Sequence, residues 1–86
     1  MTLEELAIVL GETIEYRFPD INKNYMCNFD SCEVKKGAML EGTCGHGATI
    51  EEARASYLRQ IRDQRIVFHS TDEKYRREFV VPASIA

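Results

Sequence analysis

Ile50, Ala53, Tyr57, Leu58 and Ile61 recur at the spacing of one helical face, and Thr49 with Glu52 stands before them as a capping box. The pattern predicts an amphipathic helix that opens at Thr49 and runs through about Arg65. Its apolar stripe has to be covered by another layer. The rest of the chain offers mostly short strand-like runs for that purpose. Thr13 to Phe18 alternates, Met39 to Cys44 reads as the return of a hairpin turning at Lys36-Gly37-Ala38, and Gly45-His46-Gly47 closes it. Ile66-Val67-Phe68 and Glu78-Phe79-Val80-Val81 flank a polar turn, with Pro82 ending the pairing.

Two segments need more care. Thr2 and Glu5 form another capping box, so Leu3, Leu6, Ala7 and Leu10 make one face of a short helix that Gly11 ends. Pro19-Asp20 and Asn22-Lys23-Asn24 supply turn chemistry after the first strand. Beyond them Tyr25, Cys27 and Phe29 share one face by period two, whereas Cys32 and Val34 have the opposite parity. Either a bulge lies near Asp30-Ser31 or both faces of that strand are covered. The order is α-β-β-β-α-β-β. It predicts a single α+β domain over residues 1–86, a two-layer sandwich in which an antiparallel sheet of three to five strands packs on one long amphipathic helix.

Composition narrows the function classes. The 86 residues are 44% hydrophobic and 29% charged, which suits one folded domain with little room for a deep catalytic cleft. The longest apolar run, Ala7 to Leu10, is far shorter than the ~20 residues of a bilayer span. With no basic-then-apolar leader, the expected location is cytoplasmic, a host cell's cytoplasm if the chain is phage-encoded. Three cysteines, an odd number, read as reduced thiols.

Charge is divided along the chain. Residues 1–53 carry ten acids against four bases, and residues 54–86 carry seven bases against four acids. Arg54, Arg59, Arg62, Arg65, Arg76 and Arg77 supply the second excess, the first, third and fourth falling on one polar arc of the expected long helix. Guanidinium forks suit carboxylate and phosphate, so these six are candidate binding residues for an anionic partner. Glu4, Glu5, Glu12, Glu15 and Asp20 form the converse acidic surface, able to face a basic host protein.

Other constellations are weaker. Cys27, Cys32, Cys44 and His46, with His69 further on, can be read as four or five zinc ligands, but C-x₄-C is looser than a zinc knuckle, and no metal or other cofactor is expected. Gly45 to Thr49 sits where a helix start could hold phosphate, yet Glu51 and Glu52 oppose it and no P-loop lysine follows. Cys44 with His46 lacks an orienting third group for thiol catalysis, so no enzyme is expected.

The stretch Cys32 to Ile61, with Gly47-Ala48-Thr49-Ile50-Glu51-Glu52-Ala53 opening the helix, resembles the HicB-type antitoxin domain and its G-x-T-x-E-E-A junction. With Arg65-Ile66-Val67-Phe68 and Arg77 to Pro82 it is similar to small uncharacterised bacteriophage proteins. The antitoxin resemblance implies a β-β-β-α core, although the chain lacks the usual proline-aspartate segment and a DNA-binding appendage. Together these readings point to a non-enzymatic phage or mobile-element accessory protein that blocks a host macromolecule or sequesters a small anionic ligand. The alternatives are a nucleic-acid-associated antitoxin-like module and a zinc-stabilised domain. Val80-Val81 at a sheet edge offers pairing with a second copy, a homodimer.

Overall fold

The Thr2 hydroxyl accepts the Glu5 amide, and the Glu5 carboxylate accepts the Thr2 amide in return, so α1 (Leu3–Leu10) starts on a closed capping box. Gly11, at φ 65°, ends it in the left-handed region. The computed structural model describes residues 1–18 and 21–86; Pro19 and Asp20, a turn and an acidic-surface residue by sequence, lie outside the described residues.

Seven strands and a second helix follow: β1 (Ile14–Arg17), β2 (Tyr25–Phe29), β3 (Cys32–Lys36), β4 (Met39–Gly42), β5 (Gly45–Gly47), α2 (Ile50–Ile61), β6 (Arg65–Phe68) and β7 (Arg77–Val80). They form two antiparallel sheets, β1-β2-β5 and β4-β3-β6-β7. The α+β class and the long amphipathic helix are as expected, but the run Tyr25 to Val34 is divided between the sheets at Asp30-Ser31, where Ser31 adopts φ 53°. The return strand expected over Met39 to Cys44 ends at Gly42, and Gly45-His46-Gly47, expected only to close the hairpin, is a strand of the other sheet.

Register shows why. In the four-stranded sheet Glu33 faces Gly42, whereas in the three-stranded sheet Cys27 faces Gly45. From one pair to the next the first arm advances six residues and the second only three. The three surplus residues cannot be absorbed in a flat hairpin, so the chain bends and the arms continue in another sheet. The parity conflict of the sequence is thereby resolved. Tyr25, Cys27 and Phe29 face the core from one sheet, and Cys32 and Val34 face the same core from the other.

At that core Phe29 meets Tyr57 and Phe68 edge to face, with centroids 6.2 and 5.2 Å apart. Leu3, Leu6, Ala53, Leu58, Ile61, Ile66, Val81 and Ile85 complete it. The bend leaves the Phe29 amide beyond the end of β5, and the Tyr57 hydroxyl accepts it at 3.1 Å. Desolvation raises the Tyr57 pKa, keeping the phenol protonated.

α2 presses closely on β5. A methyl group placed at Gly45 would lie 2.0 Å from the Ala53 carbonyl oxygen, and one at Gly47 would lie 2.4 Å from Glu52 Cβ. α2 also ends at Ile61 and does not reach Arg65. Arg62 is its cap, Asp63 takes φ 61°, and Arg65 already belongs to β6. The helical period stops at Ile61 because Ile66-Val67-Phe68 is a contiguous, β-favouring run that is buried in a sheet. No helix among the described residues is long and apolar enough to cross a membrane.

Three substitutions test this packing by urea unfolding. Gly45→Ala should lose about 3 kcal/mol or more, because backbone has to move, whereas Gly42→Ala, with open space around it, should stay within about 1 kcal/mol. Tyr57→Phe should cost ~1–3 kcal/mol by orphaning the buried Phe29 amide.

Candidate functional site

Alternation along β1, β2 and β5 puts Cys27 and Phe29 against α2, and Arg17, Asn28 and His46 on the opposite face. No helix covers that face. Where it meets the bent start of β3 and the loop after β6, a cleft of about 950 Å³ opens. Arg17, Asn28, Cys44 and His46 form its wall on the three-stranded sheet, while Cys32, Glu33 and the segment from His69 to Asp72 form the facing wall. The Arg17 guanidinium donates to Asn28 Oδ1 at 2.7 Å and to Cys44 Sγ at 3.6 Å. Neither partner is a carboxylate. Gln60, from α2, donates to the Cys44 carbonyl at 2.9 Å and accepts the Thr43 hydroxyl, which secures the crossing between β4 and β5.

The six arginines singled out by sequence are not brought together. Arg54 makes a two-pronged contact with Glu4, at 2.9 and 2.7 Å, and donates to the Ala86 carbonyl at 2.8 Å. Arg62 donates to the Ile85 carbonyl at 3.2 Å, and Arg59 stands exposed with no partner among the described residues. Arg65 and Arg76 reach Glu78 at 3.6 and 3.4 Å, beside Lys35 at 3.5 Å. Arg77 grips Glu12 at 2.8 Å, and its guanidinium lies 5.8 Å from the Phe68 ring. The helical arc expected for Arg54, Arg62 and Arg65 is corrected by the end of α2 at Ile61.

Acids are spent in the same way. Glu4 answers Arg54, Glu5 closes the capping box, and Glu12 holds both Arg77 and His69, the latter at 3.1 Å. Glu15 sits on β1, half-buried. His69 lines the cleft and also a smaller hollow of about 560 Å³ that includes Lys74, Tyr75, Arg76 and Arg77.

The zinc quartet does not assemble. Cys27 is fully buried on the helix side of β2, whereas His46 points to the opposite face, so sheet alternation separates them. Among the described residues no group of three or more His, Cys, Asp or Glu side chains could hold a metal ion. Burial pushes the Cys27 thiol up to about 11 and the Cys32 thiol up to about 12. At the start of α2, Thr49 Oγ1 accepts the Glu52 amide and Glu52 Oε2 accepts the Ala48 amide, so two of the donors that could hold phosphate there are already occupied. The expected edge pairing also changes: Val81 is buried and bonds Gln64, leaving Arg77–Val80 as the outer strand.

Sequence reasoning missed Arg17, Asn28 and Gln60. The signal was present for the first two, because Arg17 alternates against Tyr16, and Asn28 against Cys27 and Phe29. What it lacked was the bend that turns this polar face into a cleft. No protein family, curated protein or solved structure matches the chain.

Two measurements follow. Native alkylation with iodoacetamide near neutral pH, read by mass spectrometry, should modify Cys44 before Cys27 and Cys32, because burial keeps the latter two as thiols. Equal rates at all three would contradict the described burial. The Arg54 guanidinium holds the Glu4 carboxyl below its ordinary range. A depressed folded value means that this stabilisation is complete above the unfolded pKa of about 4.3 and disappears as pH falls through the folded value. Glu4→Gln should therefore lower stability at neutral pH and flatten its decline in acid.

Proposed function

We propose that this chain is a non-enzymatic binding protein that holds a small ligand by an anionic group at Arg17, in the cleft between the two sheets. One observation carries the reading: Arg17 is the arginine that lines the cleft, and its partners among the described residues are an amide and a thiol. A guanidinium that meets no carboxylate keeps its charge available to an anion. The other charged arginine pairs support this choice, since Arg54, Arg65, Arg76 and Arg77 are each held by a carboxylate of the same chain. A phosphate-coating surface for nucleic acid would have to break those pairs first, which weighs against the antitoxin-like alternative.

The cleft suits recognition better than turnover. Its histidines are distant in role: His69 is tied to Glu12, and His46 stands exposed on β5 without a carboxylate partner among the described residues. Binding by a positioned cation, amides and hydroxyls requires no such pairing.

Titration of the ¹⁵N-labelled protein with inorganic phosphate tests the proposal. Shifts should centre on Arg17, Asn28 and His46, and the affinity should fall about fivefold or more in Arg17→Gln, since one charge-assisted contact is worth roughly 1 kcal/mol in an open site. Shifts confined to Arg59 and Lys74, or an unchanged affinity in the variant, would refute it.

A further inference from the structure

The two walls of the cleft differ in electrical character. Opposite Arg17 stand two carboxylates, Glu33 from β3 and Asp72 from the loop after β6. Each has one oxygen occupied by its own chain. Glu33 Oε1 accepts the Ser70 hydroxyl, and Asp72 Oδ1 accepts the backbone amides of Lys74 and Tyr75 at 2.9 and 3.3 Å. Among the described residues the second oxygen of each has no hydrogen-bond partner.

Hydroxyls line the cleft as well, two of them, Ser31 and Ser70, beside the carboxylate wall. Ser70 donates to Glu33, Ser31 to Asp30 at 3.3 Å, and Thr43 to Gln60 Oε1. A carboxylate or amide oxygen can only accept, so in all three contacts the hydroxyl proton is committed and its oxygen remains as an acceptor. Ser31, Thr43 and Ser70 all line the cleft. The side away from Arg17 is therefore anionic and rich in acceptors. A ligand bearing only negative charge would answer Arg17 and be opposed by Glu33 and Asp72.

We infer that the ligand is a zwitterion of the amino-acid or short-peptide class, with its carboxylate on Arg17 and its ammonium group against Glu33 and Asp72. The inference rests on the proposed use of Arg17 and adds the second charge. An ammonium group brings three donors and no acceptor, which is what the Glu33 wall lacks and Arg17 cannot supply. A cleft of about 950 Å³ has room for a peptide of a few residues.

Calorimetric and ¹⁵N-detected titrations with triserine, N-acetyl-triserine and triserine amide test it, in the native protein and in Glu33→Gln and Asp72→Asn. Both variants keep the oxygen that the Ser70 hydroxyl or the loop amides need, so they remove charge without removing the local hydrogen bonds. Triserine should bind about tenfold tighter than either blocked peptide, the size of one lost charge-assisted contact. Each variant should weaken triserine, whereas N-acetyl-triserine, which has no ammonium group to lose, should bind the variants as well as it binds the native protein, or more tightly. If N-acetyl-triserine binds as tightly as triserine, or if neither variant affects triserine, the zwitterion is refuted while anion binding at Arg17 stands. If triserine does not bind at all, the inference also falls, and the phosphate titration decides separately whether Arg17 holds an anion.

Discussion

Contact between the backbones of α2 and β5 governs the arrangement of everything else. Gly45 lies where any side chain would strike the Ala53 carbonyl, so the helix can approach the strand only because that position has none. This approach sets β5 beside β2 with Cys27 opposite Gly45. The hairpin formed by β3 and β4 has a different register, and the chain between the two must turn out of one sheet into the other. Tyr57, projecting from the same helix, then satisfies the Phe29 amide that the turn leaves without a strand partner. A steric allowance, a register offset and one buried hydrogen bond are thus parts of a single solution.

The charge division along the chain has a corresponding structural meaning. Acids of the first part and arginines of the second meet as Glu4 with Arg54 and Glu12 with Arg77, joining α1 and its following turn to α2 and β7. Exposed pairs of this kind contribute little each, ~0–1 kcal/mol, but they fix where the N-terminal segment lies. They also remove most of the arginine excess from the outer surface. Arg17 differs from Arg59 and Arg62, the other arginines without a carboxylate partner among the described residues, because it lines the cleft on the sheet face turned away from the helix. The cleft and its charge are therefore consequences of the same bend that completes the core.

Much of this is legible in the amino-acid sequence. Capping-box patterns at Thr2 and Thr49 placed both helix starts, although at Thr49 the Glu52 carboxylate accepts the Ala48 amide and leaves the box open, and the apolar stripe of α2 named Ala53, Tyr57, Leu58 and Ile61 as core. The opposite parities of Phe29 and Val34 marked the place of the bend. Its consequence was hidden, because a bulge within one sheet and a crossing between two produce the same local pattern. The arginines misled for a related reason: spacing along a helix locates a side chain, whereas its partner comes from a distant segment, as Glu4 does for Arg54. Asp63, in the left-handed region without being glycine, gave no sequence signal for the end of α2.

The register offset is the central structural claim, and backbone nuclear Overhauser contacts across β2 test it directly. The account predicts a cross-strand contact between Cys27 and Gly45, together with one between Glu33 and Gly42. If the β3-β4 register continued uninterrupted, with Lys36 opposite Met39, Cys27 would instead lie opposite Ala48. Contacts from Cys27 to Ala48, and none to Gly45, would contradict the two-sheet fold and the cleft that depends on it.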